Sequence, residues 1–233
     1  MNKEKNFETY VFIEKNKFKI FLFDKIKLKN LYKEEISFKD DYEIDIKKLN
    51  KFLDDNIFKI EKLINQFIQN IYLILEHKKE LEIDICIKKK NFNDVTNRKN
   101  LNQALVDIKD LFMDNNKNKF IMHMIINSYI IDENKYATFI EDTKSDYLCL
   151  DVKFITLHNR YLFEFHKIFE KYQISICQFM SVKYIRQFLD NKDTESSRMA
   201  HEISNGYNSN EIIIVPKSVE NKGFFEKFFQ LFS

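Results

Sequence analysis

Three histidines of the central stretch, His123, His158 and His166, and three cysteines, Cys86, Cys149 and Cys177, have the widest chemical repertoire in this chain. Their spacing gives them little chemistry to perform. His123 sits between Met122 and Met124 in an apolar run, where a histidine is expected as a half-buried structural residue rather than a base or ligand. His158 stands beside Asn159 at a strand-to-helix turn, the setting of a cap or turn bond. No H-x-x-x-H or H-E-x-x-H pair occurs, and no Cys, His and Asp fall at nucleophile spacing. The cysteines are odd in number, lack C-x-x-C spacing and lie on apolar strands. They are expected as buried free thiols in a reducing cytoplasm, and no metal site is expected.

Charged residues add no catalytic set. Glu34-Glu35, Asp40-Asp41 and Asp54-Asp55 read as solvated faces, and Lys47-Lys48 and Lys88-Lys89-Lys90 are too short for a nucleic-acid footprint. A net charge of +2 points to no strongly polyanionic partner. Glycine is the anomaly. Ordinary usage would give roughly 16 in a chain of this size, and only Gly206 and Gly223 occur. Enrichment in Lys, Asn, Ile and Phe suggests drift of composition, as from an AT-rich genome. Phosphate-cradling loops need glycine for close backbone approach, and residues 1–205 contain none.

The elements that would position any site are legible from periodicity. With 44% hydrophobic residues among 233, the chain has ample surface to bury in one or two domains. Two apolar strands, Tyr10 to Ile13 and Phe18 to Phe23, flank the polar turn Glu14-Lys15-Asn16-Lys17 and read as a hairpin. A third strand is expected between Ile26 and Phe38. Ile46, Leu49, Leu53, Ile57, Ile60, Ile64 and Phe67 recur at helical spacing, predicting a helix over Asp45–Gln69 with Asp45 as cap or first-turn acid. A strand follows over Asn70–Glu76.

Leu81 to Lys88 alternates as a strand, Lys89 to Lys99 reads as a polar loop, and Leu101 to Met113 as a helix capped by Asn100. From Lys119 to Leu189 the order is strand, strand (Tyr147 to Leu157), helix, strand (Ile174 to Phe179), expected as one α+β unit. Val182 to Leu189 reads as helical, Asp190 to Arg198 as linker, Met199 to Ile203 as a short helix, Gly206 to Ser209 as a turn, and Glu211 to Pro216 as extended.

The last eleven residues, 223–233, carry five of the 24 phenylalanines. On a helix, Phe224, Phe225, Phe228, Phe229, Leu231 and Phe232 share one side. Such a tail suits an interfacial helix in a bilayer surface, with Lys222 and Lys227 near anionic headgroups. The alternative is a tail that folds back into a groove of the body. One short segment anchors weakly, so several copies would be needed for firm attachment. The amino terminus is polar and no apolar run has transmembrane length, so neither signal peptide nor spanning helix is expected.

Residues 119–189 resemble the SHS2-type insert subdomain, called 1C, of the bacterial division protein FtsA. The likeness rests on His123 in its strand, the signature Tyr129 to Asp132, and Ile155-Thr156-Leu157-His158-Asn159. It implies an α+β fold with a partial actin-like (ribonuclease-H-like) piece over 1–80, an SHS2-like subdomain over 81–189, a linker over 190–222 and an amphipathic membrane helix over 223–233. In that family the first hairpin holds a phosphate loop. Here the expected Asp falls on Phe12 and the expected Gly on Glu14; Lys17 is retained. ATP is therefore not expected as a cofactor, since a glutamate aimed at a phosphate repels it. The second actin-like half, with its D-x-G-x-G-T loop, is absent from residues 182–233.

The resemblance implies a non-enzymatic division scaffold on the inner face of the cytoplasmic membrane, at the division site. Partners would be divisome proteins (FtsZ or late division proteins), the membrane surface, and further copies through self-association. Two alternatives come from other classes: a PilM-like adaptor that binds a partner's peptide, and an ATP-binding actin-like protein.

Overall fold

The computed structural model describes residues 6–39, 44–189 and 195–213. The chain opens with the expected hairpin, β1 (Phe7–Glu14) and β2 (Lys17–Asp24), paired antiparallel from Phe7↔Asp24 to Glu14↔Lys17. Both strands bury nearly every residue toward their ends, which explains why their sequences are continuously apolar rather than alternating. β3 (Lys29–Ser37) adds antiparallel to β2 as an exposed edge strand.

Helix α1 (Ile46–Ile64) forms where the three-and-four spacing places it, and the Asp45 carboxylate accepts from the N–H groups of Lys47 and Lys48. It ends earlier than Gln69, at Asn65. That residue takes the left-handed conformation (φ 52°) that asparagine tolerates at a helix end. Phe67, expected in the buried stripe, is 80% exposed. Strand β4 (Asn70–Leu75) then lies parallel to β1.

A second, antiparallel sheet follows. Strand β5 (Leu81–Val95) runs through the stretch expected as a loop. Its regular pairing ends at Lys90 and resumes at Asp94, with Phe92 and Asn93 at φ 53° and 58° forming a bulge. Polar residues at an exposed edge hide a strand from hydrophobic pattern. Helix α2 (Arg98–Asn115) begins three residues before the expected start: the cap is Asn97, whose side chain accepts from the Asn100 N–H. Strands β6 (Lys119–Ile131), β7 (Asn134–Tyr136) and β8 (Lys144–His158) complete the sheet in the order β5-β8-β6-β7. Helix α2 buries Ala104, Ile108 and Phe112 against it, and the Phe112 and Phe154 rings stack at 4.4 Å.

After β8 the chain returns to the first sheet. Helix α3 (Asn159–Glu170) is capped by His158, whose Nδ1 accepts from the Arg160 N–H. Strand β9 (Ser175–Ser181) then pairs parallel with β4, completing the order β3-β2-β1-β4-β9. The grouping of 81–189 into one unit is thereby corrected. The inserted sheet ends at His158, while α3, β9 and α4 (Val182–Arg186) belong to the first sheet and its core. Strand order in sequence could not reveal this, because β9 pairs with a strand about a hundred residues earlier.

Helix α5 (Ser196–Ser204) forms around the short helix expected over Met199 to Ile203 and starts three residues earlier, within the stretch read as linker. Met199, Ala200 and Ile203 are buried in the first core. His201 Nδ1 lies 2.7 Å from Glu8 Oε2, to which the Tyr10 hydroxyl also donates at 2.6 Å. Gly206, at φ +85°, supplies the left-handed residue that turns the chain out of α5. Beyond it, Ile212 N–H donates to Met124 O and Ile126 N–H to Asn210 O, laying residues 210–212 along β6. No helix among the described residues is long and apolar enough to cross a membrane. The tail residues Lys222, Phe224, Phe225, Lys227, Phe228, Phe229, Leu231 and Phe232 lie outside the described residues.

Candidate functional site

Strands β1, β4 and β9 are mutually parallel and finish level with one another, since Ile13 pairs with Leu75 and Leu75 with Ser181. Ligands of open α/β sheets bind at this carboxyl end of the strands. The residues gathered there are Glu14 at the end of β1, Glu76 after β4, Lys19 on β2 and Arg186 on α4.

They form an ionic clasp. Glu14 is buried, and its two oxygens meet two cations: Oε1 lies 2.7 Å from Lys19 Nζ and Oε2 accepts from Arg186 Nη2 at 2.6 Å. Arg186 also reaches Glu76 Oε1 at 3.4 Å, and the Lys15 backbone N–H donates to Glu76 Oε2 at 3.5 Å. Both Glu14 oxygens are thus engaged within the protein, a second carboxylate, Glu76, stands beside the turn, and the Lys15 amide of that turn is already bonded. No cluster of three or more His, Cys, Asp or Glu arranged for a metal occurs among the described residues.

Beside the clasp lies a buried polar junction between the two sheets. His123 is 1% exposed, deeper than the half-buried position expected of it. Its Nε2 accepts from the Ser181 N–H at 2.9 Å, so the ring proton sits on Nδ1, 2.6 Å from Glu211 Oε1. Tyr184 donates to Glu211 Oε2 at 2.7 Å and accepts from Asn208 Nδ2 at 2.9 Å. Burial, with the Glu211 carboxylate adding to it, holds the Tyr184 hydroxyl above the ordinary tyrosine range. Both ring nitrogens of His123 are therefore engaged, and the residue acts as a tie between β6, β9 and the segment after α5. Ser181 Oγ donates to Glu80 Oε1 at 2.9 Å and accepts from the Tyr184 N–H. Burial pushes the Glu80 carboxyl above its ordinary range.

Sequence reading placed Glu14 and Lys17 in this turn and His123 on its strand. It missed Arg186, Glu76, Tyr184, Ser181 and Glu211. One signal was available for Arg186: it is one of only four arginines in a chain whose cations are otherwise lysine, and arginine is the residue suited to bridging two carboxylates. His158 caps a helix as expected. His166 is half-buried on α3 against Phe179, and burial lowers its pKa. Cys86 and Cys177 are exposed and Cys149 is intermediate, against the expectation of buried thiols. The apolar neighbours of Cys86 in sequence face α2, while Cys86, on the opposite side of the strand, faces out. Two surface hollows, of about 230 and 500 Å³, flank the carboxyl end of α1 and share Phe67.

No known family model matches this chain, and no curated protein does. Among solved structures it is similar to a protein of Bacteroides thetaiotaomicron described as having an actin-like ATPase fold and unknown function, with 14% identity and a TM-score of 0.31. The likeness covers 79% of this chain and 56% of that one, so the chain spans little more than half the length of that structure.

Proposed function

We propose that this chain is a non-enzymatic scaffold of bacterial cell division, similar to FtsA, held on the inner face of the cytoplasmic membrane. One observation carries the reading. The chain leaves the five-stranded sheet after β4, builds the inserted sheet from Leu81 to His158, and returns through α3 to place β9 beside β4. That detour starts where the resemblance puts the start of the SHS2-type subdomain. It contains a strand, a helix and three further strands, and the residues of the signature from His123 to His158 fall within it.

In this reading the first sheet is a partial actin-like piece that has given up nucleotide binding. The clasp supports that view, because Arg186 and Lys19 neutralise Glu14 from within the protein. The tail residues Phe224, Phe225, Phe228, Phe229, Leu231 and Phe232 would hold the membrane, with Lys222 and Lys227 at the headgroups. The inserted sheet would present the surface for divisome partners, whether FtsZ or late division proteins.

The test is the position of a fluorescent fusion at the amino terminus in dividing bacterial cells, made with and without residues 223–233. A midcell band that turns diffuse on removing the tail is the expected result. A diffuse signal from both forms would overturn the division and membrane readings together.

A further inference from the structure

Strand β5 is the outer strand of the inserted sheet, bonded to β8 on one side. From Glu82 to Lys90 its pairing is uninterrupted, and the bulge at Phe92 and Asn93 ends the straight stretch. Side chains alternate across it: Ile83, Ile85 and Ile87 pack on the core under α2, while Glu82, Asp84, Cys86, Lys88 and Lys90 are exposed. One outer strand of the other sheet, β3, is different. Glu195, which precedes α5, and Ser197 of α5 bond Asn30, and Glu195 also Lys33, so α5 is held against one end of that strand.

An open strand of this length is a template for pairing with another strand. Its charges decide which one. The exposed face is acidic in its first half (Glu82, Asp84) and basic in its second (Lys88, Lys90), with Cys86 midway. A parallel copy in register would set acid on acid and lysine on lysine, which is unfavourable. An antiparallel copy centred on Cys86 sets Glu82 opposite Lys90, Asp84 opposite Lys88, and Cys86 opposite Cys86. On the core side the same register puts Ile85 opposite Ile87. On the exposed face the pattern is self-complementary under a two-fold axis through Cys86, as an isologous interface requires.

We propose that this protein dimerises through β5, two copies pairing antiparallel about Cys86 to make one sheet continuous across both chains. Intrachain partners of these charges lie toward β8: Glu82 bonds Lys153 at 3.2 Å, Asn127 donates to Asp84 at 3.0 Å, and Lys88 sits over the Tyr147 ring. They hold the charges on the exposed face and leave the outer edge of the backbone unpaired among the described residues.

The test is cross-linking of the full chain with a short bis-maleimide. A C149S background removes the neighbouring thiol on β8 that could compete within one chain. Directly opposite residues bring their Cβ atoms to about 5 Å, so a Cys86–Cys86 product is expected, and C86S should abolish it. In K88E/K90E the exposed face becomes wholly acidic, and in E82K/D84K wholly basic. Each alone should lose the cross-link, and mixing the two should restore it as a heterodimer. Folding of each variant is checked by circular dichroism, and restoration on mixing itself requires folded chains. Absence of a Cys86–Cys86 product at the highest soluble concentration would overturn the proposal, as would a yield that K88E/K90E leaves unchanged. The proposal does not depend on the division reading. A chain that reaches midcell yet gives no Cys86 product sinks the dimer alone.

Discussion

Arg186 on α4 donates through Nη2 to Glu14 Oε2 at 2.6 Å, closing a contact between residues 172 positions apart in the chain. Glu14 ends β1 and Arg186 ends the helix that follows β9, so this bond ties the first strand of the sheet to its last. It also sets the charge at the end of the sheet where a fold of this kind offers a ligand site.

Removing the arginine leaves a buried carboxylate with Lys19 as its remaining cation. Arg186→Ala is expected to destabilise the protein by about 1–3 kcal/mol, below the cost of breaking a fully buried pair because the arginine is half-exposed. Urea unfolding measures it, and a change within 0.5 kcal/mol, the ordinary range for a surface substitution, would show the clasp to be ornamental.

Glu211→Ala strands two donors at once, His123 Nδ1–H and the Tyr184 hydroxyl. A loss of about 2–4 kcal/mol is expected, from two buried groups left unsatisfied. The segment after Gly206 should also become sensitive to protease in the folded protein, because its contact with β6 is weakened. Limited proteolysis followed by mass spectrometry reads this directly.

Glu80 gives a pH dependence. Burial raises its folded pKa above the unfolded value; the hydrogen bond from Ser181 and the nearby Lys183 oppose the shift, and Glu82 and Glu76 add to it. A raised acid pKa means that the folded state binds more protons than the unfolded one, so this group lowers stability as pH rises through and above the ordinary glutamate range. Glu80→Gln keeps an acceptor for Ser181 and removes the charge. It should be more stable than the parent at pH 7 and show a flatter profile from pH 4 upward, by thermal melts across that range. Equal loss of stability at every pH would mean that Glu80 titrates alike in the folded and unfolded states and that the substitution costs packing or hydrogen bonding instead.

Removal of residues 223–233 should leave the melting temperature of the body unchanged and abolish sedimentation with vesicles containing anionic lipid. Phe228→Asp with Phe229→Asp should behave like the deletion. A several-degree fall in melting temperature with vesicle binding retained would instead assign the tail to the body's core.

Much of the fold was legible because its elements announce themselves by period. α1, α3 and the hairpin of β1 and β2 follow from apolar spacing, and Asp45 and His158 act as caps because their types and places suit capping. What stayed hidden is long-range. That β9 belongs with β4, and that α5 packs into the first core, depends on pairing and burial that no local window records. β5 runs on to Val95 because an edge strand tolerates polar residues that read as loop. The site was half legible: the odd residues of the Glu14–Lys17 turn were visible, but their partner Arg186 comes from the far end of the sheet. His123 was expected on its strand; its full burial and its tie to Glu211 were not.

Calorimetric titration of the full chain with ATP and magnesium tests the closed carboxyl end most directly. With Glu14 held by Lys19 and Arg186, no heat of binding is expected at millimolar nucleotide. A micromolar affinity would contradict the account, and would make this chain an ATP-binding actin-like protein rather than a scaffold that works without nucleotide.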